Sequence, residues 1–314
     1  MSIATSSLSI PARGASARRS RRGGAPTRAL LRAYFGIVSR LAPPLARRHA
    51  ERLFTTPPGY AGRVRQPVPA RRETVVAGRH DVAVWQAGPA AAPAVLLAHG
   101  WGGRGAQLGT FVAPLLARGW RVVWFDQPGH GQSGRGPVGL PDMVRAIEAL
   151  ARTHGPFDAA IGHSLGAAAL GLALRRHLAL RRVAFVSSPS SMSEHARAFA
   201  RLLNLAPRVH DAMRHRIEQR YGVRFADIDR LDDLARVDVP ALFVHDVHDE
   251  HVPIAHALRL CARMPRARLA RTHGLGHHRI VRDHAVVAEV VRFVTGADDI
   301  ATDLPPLPRP APLY

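Results

Sequence analysis

Length, composition and cysteine content limit the kinds of protein that this sequence can encode. The chain has 314 residues, of which 46% are hydrophobic, and this is enough for one large globular domain that carries an insertion. A single cysteine, Cys261, excludes an internal disulfide framework. The chain contains no lysine, so it has no G-x-x-x-x-G-K-[ST] loop for binding nucleotide phosphates.

The net charge of +21 is concentrated near the N-terminus. Residues 1–72 hold fifteen arginines and one acidic residue, Glu51, and therefore contribute +14 of the total. The arginines are not interleaved with aromatic residues, and the chain has no helix-turn-helix or zinc-finger pattern. We therefore expect no nucleic-acid partner.

The N-terminal region divides into two segments. Residues 1–27 are rich in Ser, Arg and Ala without apolar periodicity, so they are predicted to be disordered. They lack the apolar core of a secretory signal, which favours a cytoplasmic location, although their acid-free, arginine-rich composition also resembles an organelle transit peptide. Residues 28–72 are predicted to form an amphipathic helix and a proline-containing connector.

The predicted helix has a repeating apolar pattern that allows two interpretations. Leu30, Tyr34, Ile37 and Leu41 recur at helical spacing, while nearby arginines exclude a membrane-spanning segment. The helix is expected either to pack on the globular body or to make peripheral contact with an anionic membrane through residues 28–45.

From residue 73 onwards, short apolar runs alternate with helical patterns. Alternation of this kind predicts a mainly parallel sheet covered by helices on both faces. Eight strands are predicted, at 73–77, 82–86, 94–98, 121–125, 157–161, 182–187, 241–245 and 267–270. The helices between and after them are predicted at 107–118, 141–154, 165–177, 253–264 and 284–295.

One interval interrupts the alternation. Residues 188–236 have helical stretches at 195–205 and 209–221 but no strand pattern, which indicates a helical insertion. The insertion divides the α/β core into a first part, residues 73–187, and a second part, residues 237–296. Residues 297–314 form a proline-rich tail.

The sequence Gly162-His163-Ser164-Leu165-Gly166 lies between a predicted strand and a predicted helix. Two glycines in this G-x-S-x-G pattern allow a tight turn that exposes the serine at the N-terminus of the helix. A serine hydroxyl becomes a good nucleophile only when a base removes its proton and a third group orients that base. The turn therefore predicts a nucleophilic serine, with partners elsewhere in the chain.

The chain resembles the α/β-hydrolase superfamily from about residue 73 to residue 295. Besides G-x-S-x-G, four motifs occur in the family's order and carry the resemblance. They are an H-G-x-x-G segment at 99–103, a D-x-P-G-H-G-x-S turn at 126–133, a D-x-x-V-P acid loop at 249–253 and a closing G-H at 276–277. The resemblance implies an α/β-hydrolase fold, with the 188–236 insertion forming a helical cap over the active site.

The resemblance also implies a role for each matching residue. Ser164 would be the nucleophile, His277 the general base and Asp249 the carboxylate that orients it. The backbone N–H groups of Leu165 and Trp101 would form the oxyanion hole. No cofactor or metal is expected.

Some of these assignments have competitors within the sequence. His273 and His278 are alternatives for the base, and Asp246 and Glu250 are alternatives for the acid. The alternating histidines and carboxylates of residues 245–251 also fit a zinc site, but the segment passes from strand to loop, so its side chains should diverge.

The resemblance points to a serine hydrolase that cleaves a carboxylic ester or thioester with an apolar portion. Apolar residues of the cap are candidates for a roof over that portion, namely Ala198, Phe199, Leu202, Leu203, Met213 and Ile217. Carbon–carbon bond hydrolysis and acyl transfer use a similar triad and stay open. A catalytically silent ligand-binding protein and a membrane-surface protein are the alternatives from other classes.

Overall fold

The computed structural model describes residues 8–10, 25–59 and 65–297. Within these ranges nine strands form one sheet in the order β1-β9-β8-β7-β6-β4-β5-β3-β2. The strands are β1 (Leu8–Ile10), β2 (Arg71–Ala77), β3 (His80–Ala87), β4 (Ala94–Ala98), β5 (Arg121–Phe125), β6 (Ala159–His163), β7 (Arg182–Val186), β8 (Ala241–Asp246) and β9 (Ala267–Thr272). The pairs β2–β3 and β3–β5 are antiparallel and every other pair is parallel.

Helices cover the sheet and form the insertion. They are α1 (Ala25–Leu41), α2 (Pro43–Thr55), α3 (Val112–Leu116), α4 (Leu140–His154), α5 (Leu165–Arg175), α6 (Met192–Leu203), α7 (Pro207–Tyr221), α8 (Phe225–Ile228), α9 (Ala255–Cys261), α10 (Gly276–Arg279) and α11 (His284–Val294). In the described part of the chain, 3₁₀ helices lie at Gly105–Phe111, Asp232–Arg236 and Ile280–Arg282. The predicted mainly parallel sheet flanked by helices is confirmed, and so are its eight strands, which are β2 to β9.

Two local predictions need correction. Residues 8–10 lie in the segment predicted to be disordered, yet they form β1, which pairs in parallel with β9. An edge strand offers unpaired backbone groups, and a three-residue segment can bind them without any apolar periodicity of its own. The single helix predicted at 107–118 is a 3₁₀ helix followed by α3, and Gly109 weakens α-helix formation in its first half. The remainder of the predicted disordered N-terminus up to residue 24, and the tail from residue 298 onwards, lie outside the described residues.

The two faces of the sheet bury separate apolar clusters. On one face Met143 of α4 and Leu170 of α5 pack against the strands. On the other face Phe111 and Phe293 of α11 pack around Trp124. Since both faces are covered, the central strands are buried throughout, as in β4 and β6, and this explains their continuous apolar sequences.

A third apolar cluster joins the N-terminal helices to the insertion. Phe35 of α1 and Ala46 and Ala50 of α2 pack with Val209 and Met213 of α7. The second helix of this region, α2, was not expected from the sequence. Through this cluster α1 and α2 pack against helices α6 and α7 of the insertion. Among the described residues, no helix is both long enough and apolar enough to cross a membrane.

Replacing Phe35 by alanine should weaken the packing of the N-terminal helices on the insertion. Phe35 is 1% exposed, so the change leaves a cavity and should lower the free energy of unfolding by about 3–4 kcal/mol. Ile37→Ala on the same helix is the matched control, because Ile37 is 58% exposed and should change stability by less than about 0.5 kcal/mol. Urea unfolding measures both, and equal losses would contradict the packing described.

Candidate active site

Ser164 lies at a strained turn between β6 and α5. Its φ and ψ are 53° and −124°, a backbone conformation that side chains rarely adopt. The flanking glycines make the turn possible. A Cβ on Gly162 would lie 2.6 Å from the Cα of Ala167, and one on Gly166 would lie 2.3 Å from the carbonyl oxygen of Ala98. No side chain fits at either position, so the close packing of strand, turn and helix requires glycine.

The turn holds Ser164 at the edge of the sheet where the parallel strands end at their carboxyl ends. In the middle of this edge β4, β6 and β7 lie side by side. The backbone N–H of Ser164 donates to the carbonyl oxygen of Val186, at the end of β7, over 2.9 Å. The serine side chain is thus fixed at the point where the loops after several strands converge.

His277 links Ser164 to Asp249. It lies in α10, just after β9, while Asp249 lies in the loop after β8. The Nε2 atom of His277 is 3.0 Å from the Ser164 Oγ, and its Nδ1 is 2.8 Å from the Asp249 Oδ2. In a neutral imidazole with its hydrogen on Nδ1, the ring donates to Asp249 and accepts from the serine hydroxyl. The structure therefore brings together the three side chains singled out in the sequence.

The competing residues occupy other positions. The side chains of His273, His278 and Glu250 are exposed. Asp246 is buried, but its carboxylate accepts from the Thr272 hydroxyl and from backbone N–H groups, including that of Leu275. Asp246 thereby holds the loop that carries His277 without contacting its ring.

The charge of Asp249 is stabilised where it lies. Burial by itself raises the pKa of this carboxyl group, but the hydrogen bond from His277 and those from the backbone N–H groups of Val252 and His251 outweigh burial. Together they lower the pKa of Asp249 to about 2. Near neutral pH the group is therefore a carboxylate facing the imidazole of His277.

Three further histidines support this arrangement. Burial lowers the pKa of His163 to about 3, so its ring is neutral, and its Nε2 donates to the backbone carbonyl of His277 over 2.9 Å. The His245 Nε2 donates to the carbonyl oxygen of Val252 and holds the acid loop. The ring of His251 stacks on that of His277, with centroids 5.1 Å apart. The sequence suggested only zinc binding for His245 and His251, although their places within four residues of Asp249 were a usable signal that they contact the acid loop and His277.

Two backbone N–H groups beside Ser164 are candidates for binding an oxyanion. Leu165 is the first residue of α5, so its N–H has no partner within the helix. Trp101 follows Gly100, and a Cβ on that glycine would lie 2.8 Å from the Cβ of Ser164. The chain at Gly100 thus passes directly alongside the serine. The N-terminus of α5 also favours negative charge at this position.

Two apolar chambers open beside Leu165. The first extends between α5, β7 and β8, where Phe185 and Phe243 line it. The second is lined by Trp101 and by Phe54 of α2. Both chambers share a set of lining residues, namely Leu140, Leu165, Met192, His195 and Ile228.

The roof of these chambers matches the expected one only in part. Ile217 of α7 lines the second chamber, and Met192 and His195 of α6 line both chambers together with Ile228. Met213, in contrast, lies in the cluster between α7 and the N-terminal helices, and Leu202 is partly exposed. The apolar pattern of the insertion could not separate residues that face the site from those that hold the insertion together. Among the described residues, no group of three or more histidine, cysteine or acidic side chains is arranged to hold a metal ion.

A strained serine turn at the carboxyl edge of a mainly parallel sheet, with Ser, Asp and His in that chain order, is characteristic of the α/β-hydrolase fold. A family model described as the alpha/beta hydrolase fold matches residues 93–215. The chain therefore has the α/β-hydrolase fold.

Individual relatives are distant. A serine hydrolase-like protein of Danio rerio is 37% identical over 97 residues, a match that spans 28% of this chain and 28% of that protein. An esterase of Pyrococcus furiosus superposes with a TM-score of 0.60 at 16% identity, covering 77% of this chain and 99% of that one. The thioesterase domain from the curacin biosynthetic pathway gives 0.55 at 16% identity, covering 73% of this chain and 100% of that domain. At these identities the structural likenesses establish the fold.

The pKa of Asp249 gives a prediction for stability as a function of pH. Since the folded-state pKa lies below the unfolded value of about 4, the carboxylate's contribution of about 2 kcal/mol is present above that value and is lost as the pH falls toward about 2. The difference in free energy of unfolding between wild type and Asp249→Asn should therefore shrink on acidification. Asp238→Asn, at a side chain that is 79% exposed, is the control for removing one carboxylate from the chain. Urea titrations across this range measure both, and a constant difference for Asp249→Asn would contradict the assignment.

Proposed function

We propose that this protein is a serine hydrolase that cleaves carboxylic esters or thioesters through an acyl-enzyme intermediate. The observation that carries the proposal is the continuous hydrogen-bonded series from Ser164 through His277 to Asp249, with distances of 3.0 and 2.8 Å. A hydroxyl in contact with an imidazole that a carboxylate orients is the arrangement that makes serine nucleophilic at neutral pH.

In the first half-reaction the Ser164 Oγ attacks the substrate carbonyl carbon, and its proton passes to the Nε2 of His277. Negative charge develops on the carbonyl oxygen, which the N–H groups of Leu165 and Trp101 stabilise. Loss of one such donor typically raises the barrier by about 3–4 kcal/mol. When the tetrahedral intermediate collapses, His277 transfers the proton to the leaving oxygen or sulfur, and the acyl group stays on Ser164.

In the second half-reaction water replaces the leaving group. His277 takes a proton from water as the water oxygen attacks the acyl carbon, and it returns the proton to Ser164 when the free acid leaves. Asp249 remains ionised and stabilises the imidazolium at both stages, in accord with its low pKa. His163 and His251 position His277 and exchange no proton with the substrate.

The chambers favour a substrate with an apolar acyl group. Leu172, Phe185, Phe243 and Met264 line the first chamber, and Leu165 connects it to the nucleophile. An acyl chain that enters it exchanges water for apolar contacts, which favours binding by about 0.8 kcal/mol for each methylene buried. An esterase of Pyrococcus furiosus and the curacin thioesterase domain share this fold, in accord with an ester or thioester substrate.

Covalent labelling with a fluorophosphonate probe tests the nucleophile and the base. Wild type should label at one serine, and Ser164→Ala and His277→Ala should abolish labelling, because the probe reacts only with an activated serine. His278→Ala is the matched control, since the neighbouring imidazole is exposed, and it should label like wild type. Intact-protein mass spectrometry reads the adduct. A folded wild type that does not label would exclude the proposed chemistry and favour a silent ligand-binding protein.

A substitution in the first chamber tests the acyl-binding assignment. Gly171 of α5 lines the chamber, and a Cβ there would meet only a Phe185 ring carbon, at an ordinary contact distance of 3.9 Å. Gly171→Leu should therefore fold, fill the chamber and lower the ratio of kcat/KM for octanoyl over acetyl p-nitrophenyl esters by at least about tenfold.

Gly171→Ala is the matched control because it adds a single methyl group and leaves most of the chamber empty. It should keep the wild-type preference for chain length. If Gly171→Leu also keeps that preference, then the acyl chain binds elsewhere and the assignment of the first chamber is wrong.

A further inference from the structure

Helix α1 presents apolar side chains on two opposite faces. Phe35 and Ser39 are buried against the insertion. Leu30, Ile37 and Leu41 lie on the face that points away from the protein, where they are 72%, 58% and 81% exposed. Exposed apolar residues that recur along one helix face form a continuous stripe. The stripe contributes nothing to the packing of the fold and requires another explanation.

The stripe continues onto α2. Tyr34 belongs to it, and its hydroxyl is 2.5 Å from the Nδ1 of His49, with the two rings stacked. Leu45 and Leu53 lie four residues before and after His49, share its helix face and are 44% and 46% exposed. We call this combined area the outer surface, formed by Leu30, Tyr34, Ile37, Leu41, Leu45 and Leu53.

The charges around the outer surface are positive. Residues 25–59 hold six arginines and a single acid, Glu51. That acid is paired with Arg47 and with Arg220 of α7, which places its charge against the insertion. Arg48 and Arg52 are exposed on the same side of α2 as Leu45. An apolar area edged by arginine is complementary to a lipid bilayer that has anionic headgroups above an apolar interior.

We propose that the outer surface docks this protein on an anionic phospholipid membrane. Leu, Ile and Tyr side chains would enter the boundary between headgroups and acyl chains, while Arg48 and Arg52 would contact lipid phosphates. A second copy of this chain fits less well, because joining two outer surfaces would bring their arginines together. An open groove lies beside Ile37 and Leu41 and forms part of the same exposed area.

Docking at this surface would also bring lipid close to the candidate active site. Phe54 and Thr55, at the end of α2, line the second chamber, so the helix pair that contacts the membrane also forms a chamber wall. The proposal goes beyond the hydrolase function and does not depend on it, since it rests on the outer surface alone.

Vesicle co-sedimentation of the full chain tests the docking. Wild type should bind vesicles of phosphatidylcholine and phosphatidylserine more tightly than vesicles of phosphatidylcholine alone. The double variant Ile37→Gln/Leu41→Gln keeps every arginine and should weaken binding by at least about tenfold, because it removes apolar insertion. Val76→Gln/Leu258→Gln is the matched control, with side chains that are 69% and 42% exposed away from α1 and α2. It should bind like wild type.

The outcomes separate docking from its rivals and from catalysis. Equal binding of wild type and the Ile37/Leu41 double variant would attribute the attraction to arginine charge alone and overturn the proposal. Absence of wild-type binding, with a dimer that the double variant dissociates in light scattering, would assign the surface to a second copy and also overturn it. Ser164→Ala should bind vesicles like wild type, and the Ile37/Leu41 variant should hydrolyse a short soluble ester normally. Failure of docking and failure of the hydrolase function are therefore seen in different measurements.

Discussion

The close approach of α5 to the ends of β4 and β6 is the constraint on which the site depends. Because Gly166 packs against the carbonyl oxygens of Ala98 and His99, the helix begins immediately after β6 and the connecting residue, Ser164, is held in a strained conformation. The strain persists because α5 packs on the sheet beside β6, and the two elements cannot separate without exposing their buried apolar residues. The serine therefore keeps one position, and the loops after β8 and β9 need only reach it.

Those two loops are held by polar groups that take no part in the proposed proton transfer. Asp246 binds the loop after β9, His245 binds the loop after β8, and His163 binds the backbone of His277. Burial keeps the two histidines neutral, so each can donate to a carbonyl oxygen. The geometry of the Ser164–His277–Asp249 series thus depends on hydrogen bonds from two neutral histidines and to one ionised carboxylate, Asp246, and these groups keep their protonation states near neutral pH.

The N-terminal helices connect this site to the exterior of the molecule. One face of α1–α2 completes the apolar cluster of the insertion, the end of α2 lines a chamber, and the opposite face is exposed and edged by arginine. The two interpretations of residues 28–45 reached from sequence are therefore compatible, because they concern different faces of one helix. Packing uses Phe35, whereas the proposed membrane contact uses Ile37 and Leu41.

The sequence by itself determined the eight core strands and the identity of Ser164, His277 and Asp249 as candidates, because strand periodicity and turn motifs are local patterns. It could not assign β1, which depends on pairing with a distant edge strand, nor α2, nor the roof formed by Met192 and His195. These features depend on which faces of separate segments meet. Only the tertiary structure decided them, since apolar spacing shows that a helix has a buried face but contains no information about its partner.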